Sequence, residues 1–237
     1  MEVELLGKLP KNDVEILHLD AEVVVVNKPS GLLVHRGWDN DDDVAMFRVR
    51  DKIGKHVYPL HRLDRGTSGA LMFALNKEAA AAIHADFEAG RVEKRYLALV
   101  RGTPPESGVI DYPIQKKEDG PRVPALTRFQ LRARSQKERC SLVEAFPETG
   151  RLHQIRRHLR HINHPLVGDV KHGSGEINRH YRAEYKFHRL ALHAHFLAFS
   201  HPVTGVRFEA RAPLPGDFLA FLNALELDVT MDAILSS

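Results

Sequence analysis

One cysteine, Cys140, in 237 residues excludes an internal disulfide framework and a cysteine-based zinc site. No apolar run approaches the roughly 18 residues of a membrane span, so no membrane partner is expected. The opening residues, MEVELLGKLP, lack the charged-then-apolar layout of a signal peptide, and a reduced cytoplasm is the expected home. There is no internal repeat and no low-complexity linker. What remains is an ordinary globular composition, 43% hydrophobic and 27% charged. The length suits one large domain or two small lobes with a substantial core.

The net charge of +3 is unevenly spread. Residues 1–26 carry six acids against two Lys/Arg, whereas 151–193 carry nine Lys/Arg and eight histidines against three acids. Such a basic block attracts polyanions, of which nucleic acid is the commonest large one in a cytoplasm; a solvated basic face is the alternative.

Apolar, β-rich runs recur at 21–29, 69–75, 93–100, 190–199 and 206–211. Several are apolar on both faces, as in strands sandwiched between layers. Helices are expected over 41–53, over 77–89 with Asn76 as N-cap and Gly90 as stop, and over about 152–163. The last carries an apolar stripe of Leu152, Ile155, Leu159 and Ile162, with Arg156, Arg157 and Arg160 expected to point outward. A further helix, PGDFLAFLNALEL, closes the chain. Strands and helices without regular alternation predict an α+β fold with a largely antiparallel sheet.

Four stretches could carry chemistry. HRLDRGTSG (61–69) surrounds Asp64 with His61, Arg62 and Arg65. Asp64 is then either a surface carboxylate in a weak ion pair or a nucleophile or base kept ionised by a cation. ETGRLHQIRRHLRHINHPLVGD (148–169) holds His153, His158, His161 and His164 but no acid between Glu148 and Asp169, which weakens a metal reading. Tyr96 follows Lys94 and Arg95 in a strand, so it is a core residue or a face for an unstacked base. NKPSGLLVH (27–35) is by itself only a turn after a buried strand.

Together the stretches resemble the RluA-type pseudouridine synthases. HRLDRGTSG matches the family signature His-Arg-Leu-Asp-x-x-Thr-Ser-Gly, and NKPSGLLVH, KRYLALVRG, TGRLHQIRRHL with HPLVGD, and LALHAHFLAFSHPVTG follow in the family's order. The resemblance covers about residues 14–213 and implies the pseudouridine synthase fold. That fold has a mixed, largely antiparallel central sheet flanked by helices, with the active-site cleft between two lobes. It also implies one catalytic domain over 1–237, with a C-terminal helix and tail from 214 and no S4-like RNA-binding domain.

The implied activity isomerises uridine to pseudouridine in RNA, without cofactor or metal. Asp64 is the implied catalytic carboxylate, Arg151 its cation partner, and Tyr96 and Ile155 walls against the target base. Arg62 is expected to fill the place the base vacates. His61, Lys94, Arg156 and Arg160 are expected to bind substrate. LLVHRGWDNDD (32–42), RRHLRHINHPLVGDVKHG (156–173) and Asn178-Arg179 point to the branch acting on tRNA, at uridine 65, rather than on 23S ribosomal RNA. The basic stretch 115–139 fits no motif and is expected to bear on the choice of RNA. A monomer is expected. Two rivals are a metal-dependent phosphodiesterase built on the His153–His164 cluster and a non-catalytic RNA-binding protein.

Overall fold

Four consecutive valines, Val23 to Val26, are each fully buried, and their alternation assigns two to each face of a central sheet. The computed structural model describes residues 14–36, 42–115 and 120–228. The chain begins β1 (Glu15–Leu19), β2 (Val23–Lys28), α1 (Ala45–Ile53), β3 (Tyr58–Pro59), β4 (Ser68–Ala74) and α2 (Lys77–Glu88). There follow β5 (Glu93–Arg101), β6 (Ser107–Asp111), β7 (Ile114–Gln115), β8 (Arg122–Val123), β9 (Leu126–Arg134) and β10 (Cys140–Pro147). The remainder is α3 (Gln154–His161), α4 (Gly175–Tyr185), β11 (Leu192–Ser200), β12 (Arg207–Arg211) and α5 (Gly216–Ala224).

The main sheet runs β1-β2-β4-β11-β5-β10-β9-β6, with β3 also on β4 and β12 also on β11. Among the described strands only β4 and β11 pair in parallel. The α+β architecture with a largely antiparallel sheet is therefore the observed one. One face, with Val24, Val26, Leu71, Phe73, Ala98 and Val100, packs against α1 and α3 through Ala45, Val49, Ile155 and Leu159. On the other face α2 covers Val23, Val25 and Met72 with Ala79, Ala80 and Ile83. There α4 and α5 cover Leu97, Leu99 and Leu142 with Tyr181, Phe218, Phe221 and Leu222. No described helix is long and apolar enough to cross a membrane.

Asn76 caps α2 as expected, its side chain accepting from the Ala79 N–H. The helix expected over 41–53 starts at Ala45, and residues 37–41 and 116–119 lie outside the described ones. The helix expected from 152 begins at Gln154. The side-chain amide oxygen of Gln154 accepts from Thr149 Oγ1 and the Arg151 N–H, which closes a turn and holds Leu152 out, 46% exposed. Helix α4 and strands β1, β6, β9 and β10 lie outside the expected elements.

Candidate active site

Asp64 stands on the loop entering β4, and the sheet's own chemistry fixes that loop. Its carbonyl accepts from the Thr67 N–H at 3.0 Å. From beneath, the buried ammonium of Lys28 donates to the carbonyls of Pro29 and Leu32, and at 3.4 Å to that of Arg65. Gly31 N–H donates to the Arg65 carbonyl, Arg65 Nε to the Gly31 carbonyl, and Ser30 Oγ to the Gly66 carbonyl. The turn NKPSG is thus the clamp on the Asp64 loop. Burial, and then the Arg189 and Arg65 charges, push Lys28 down to about 7, against the pull of Asp64.

The loop opens on a cleft of about 730 Å³. The cleft is lined by Asp64, Tyr96 and Ile155, and also by His61, Arg62, Lys94, Arg151 and Arg156. Tyr96 reaches it because β5 and β4 sit on either side of β11, in one row Gly69, Ala194, Tyr96. At Gly69 the backbone has φ +116°, and a Cβ there would lie 2.2 Å from the Ala194 carbonyl oxygen. Only glycine permits the two strands to approach so closely. Tyr96 is buried, and burial followed by the Asp64 charge raises its phenol above the usual range.

The cation on Asp64 is Arg156, which corrects the expected Arg151. Arg156 Nη1 donates to Asp64 Oδ2 at 2.8 Å, across 92 residues of sequence. Arg151 also lines the cleft, but its Nε donates to the Pro124 carbonyl at 3.1 Å, because the 149–154 turn aims it there. Arg156 also departs from its expected outward position, being only 9% exposed. Its Nε and Nη2 donate to the two oxygens of Asp169, at 2.7 and 2.8 Å. Burial works against the Arg156 cation, but hydrogen bonds to Asp169 and then Asp64 outweigh it, and the net shift is upward. Burial would raise the Asp169 carboxyl, yet Arg156 and the His172 N–H hold it below the usual carboxylate range.

His61 lines the cleft, but its Nε2 is occupied, accepting from the Met72 N–H at 3.0 Å, with the ring stacked on Phe87. Burial, and then the Lys94 charge, push it down to about 3, so it is a neutral acceptor at neutral pH. Burial alone pushes Lys94 down to about 8. Arg62 is exposed and makes no hydrogen bond or ion pair among the described residues. Arg160 lies away from the cleft wall, exposed, donating to the His172 carbonyl.

The four histidines proposed as metal donors go to different places. His153 meets His172 at 3.0 Å, while His158 is buried between Thr127 Oγ1 and the Tyr112 carbonyl. His161 stacks on Tyr112 and His164 meets the Arg101 carbonyl. Donors so dispersed form no metal cluster among the described residues.

Sequence reasoning missed Asp169, His172 and Thr67 as members of the site. Asp169 had a readable signal: it is the first acid after a helix carrying three arginines. His153, weighed as a metal donor, sits at the cleft with φ 54° and its Nε2 3.9 Å from Asp64 Oδ1. Left-handed backbone at a non-glycine residue is the kind of strain that clusters at functional sites.

Comparison with known proteins gives concordant results. The family described as RNA pseudouridylate synthase matches residues 22–161. A tRNA pseudouridine synthase C from Vibrio parahaemolyticus is 40% identical, covering 91% of this chain and 96% of that protein. One of the same description from Haemophilus ducreyi is 43% identical over 81% of this chain and 87% of its own. Among solved structures, human RNA pseudouridylate synthase domain containing 1 superposes with a TM-score of 0.77 at 26% identity, covering 98% of this chain and 96% of that one.

Proposed function

The chain belongs to the RNA pseudouridylate synthase family of RluA type, and on that premise we propose that it isomerises a uridine of tRNA with Asp64 as the reacting carboxylate. The observation that carries the reading is the Asp64–Arg156 pair at 2.8 Å in a cleft walled by Tyr96 and Ile155. The isomerisation breaks the bond from ribose C1′ to N1 and makes one from C1′ to C5. C5 loses a proton and N1 gains one. A carboxylate at the ribose–base junction serves this chemistry, and a flat ring with an apolar partner holds the uracil while it is detached.

The target must first leave its stack, at a cost of a few kcal/mol, and cations at the cleft mouth offset that by engaging flanking phosphates. Arg62, exposed and without a hydrogen bond or ion pair among the described residues, would enter the vacated stack. The curated relatives' description favours tRNA over 23S ribosomal RNA, and uridine 65 is the position the sequence resemblance suggests. Arg151 serves the reading through its turn and its place on the cleft wall rather than as Asp64's partner.

Asp64→Asn is the direct test. It is expected to abolish pseudouridine formation in tRNA while RNA binding stays within about threefold of wild type, since the Asp64 charge is half-buried and already paired with Arg156, away from the flanking phosphates. Residual conversion by purified Asp64→Asn protein would remove Asp64 from the reaction. Mapping pseudouridines in cellular RNA with and without the protein identifies the RNA and the position together.

A further inference from the structure

Asp169 touches no part of the cleft, yet it decides how Arg156 meets Asp64. A guanidinium has one edge, Nε with one Nη, that fits a carboxylate as a two-pronged fork. In Arg156 that edge is given to Asp169, at 2.7 and 2.8 Å. Only Nη1 is left for Asp64, and it reaches a single oxygen, Oδ2. The other oxygen, Oδ1, has no hydrogen bond among the described residues: the His153 ring, which burial pushes toward its neutral form, stands off with Nε2 at 3.9 Å. Asp64 is thereby oriented by a cation without being enclosed by it.

Asp169 is built to hold this position. It is 1% exposed, and its Oδ1 also accepts from the N–H groups of Lys171 and His172, at 3.0 and 2.9 Å. Its own carbonyl accepts from Gly173 N–H and Asn178 Nδ2. At Gly173 a Cβ would lie 2.3 Å from that carbonyl oxygen, so the loop closes tightly around Asp169. We infer that Asp169 is a positioning residue for the isomerisation: it occupies the forked edge of Arg156 and shares its charge, which keeps Asp64 Oδ1 free to react.

The inference rests on Asp64 being the reacting carboxylate. The other charged or titratable groups around the triad are Lys28 of β2, Tyr96 of β5, His153 just before α3, Arg157 of α3, and Lys171 and His172 of the loop. None of them bonds both carboxylates, so none replaces Asp169 in dividing the Arg156 charge.

Asp169→Asn removes the charge and keeps an oxygen for the Lys171 and His172 amides. Without the anion, Arg156 is less neutralised and turns its fork to Asp64. An uncompensated cation disfavours the proton on Asp64, so activity persists to lower pH. The acid limb of the pH–rate profile is expected to move down by about one unit. Turnover at neutral pH is expected to fall roughly 100-fold, with KM for tRNA within about threefold. A crystal structure of the variant is expected to show both Asp64 oxygens on Arg156. Asp169→Ser is the second variant, read by the same limb. Reduced turnover with an unmoved limb would mark Asp169 as merely structural and overturn the inference, as would loss of the folded state in both variants. Wild-type protein that forms no pseudouridine would sink the catalytic reading instead, and the structure of the Asp169→Asn variant would then still report on the fork.

Discussion

Thr67 shows how much one atom can be asked to bear. Its N–H holds the Asp64 carbonyl, its side chain is 2% exposed, and the residue lines the cleft. Yet Thr67 Oγ1 is the one buried side-chain polar atom without a hydrogen-bond partner among the described residues. Leaving a buried hydroxyl unsatisfied costs about 1–3 kcal/mol, whereas a methyl in its place costs nothing in hydrogen bonding. Thr67→Val is therefore expected to raise stability by about 1 kcal/mol in urea unfolding. Turnover is expected to fall in the same variant, because proteins keep such a penalty where the reaction uses the group. A less stable variant would mean that the hydroxyl finds a partner in solution, and the penalty argument would then lapse.

At the scale of elements, the β4–β11 contact carries the most consequence, since it sets Tyr96 opposite the Asp64 loop. Gly69→Ala drives a methyl onto the Ala194 backbone and forces a non-glycine residue to φ +116°. Left-handed strain of about 1–3 kcal/mol and overpacking of similar size act together there. The variant is expected to lose at least about 3 kcal/mol by chemical denaturation, with expression falling in parallel. A loss below about 1 kcal/mol would show that the strands separate easily, and that the close approach is not what sets the cleft. The sequence showed these strands plainly, because β2, β4, β5 and β11 are apolar on both faces. It hid β9, whose inward Thr127, Phe129, Leu131 and Ala133 alternate with Arg128 and Arg132 inside a stretch that reads as merely basic. It hid β10 as well, where Ser141 and Glu144 are buried polar residues held by Gly102, Arg132 and His195. Helix α4 offers one file of Ile177, Tyr181 and Tyr185 instead of a broad apolar stripe.

Over the whole molecule, the net charge of +3 says little about where RNA would lie, because most arginines on the sheet are already paired. Arg128 meets Glu148, Arg132 meets Glu144, Arg134 meets Glu106, and Arg207 meets Glu93 and Glu209. Arg62 is unengaged, and Arg151 and Arg160 spend their hydrogen bonds on neutral carbonyls, so their charges remain for phosphate. Sequence spacing grouped Arg156 with Arg160 as one basic face. Yet Arg156 lies three residues from Leu159 on the flank of the buried stripe, where Asp169, 13 residues on, and Asp64, 92 residues back, both claim it. A partner 92 residues away leaves no trace in local periodicity, which is why Asp64 was legible and its cation was not. The two arginines should therefore separate in experiment. Arg160→Ala is expected to weaken tRNA binding and to lower the slope of log affinity against log salt by about one. Arg156→Ala is expected to leave that slope in place and to lose turnover, because its charge is balanced by Asp64 and Asp169 before any phosphate arrives. Salt titrations of binding beside single-turnover rates read both at once, and equal slopes for wild type and Arg160→Ala would take that face of α3 out of the RNA surface.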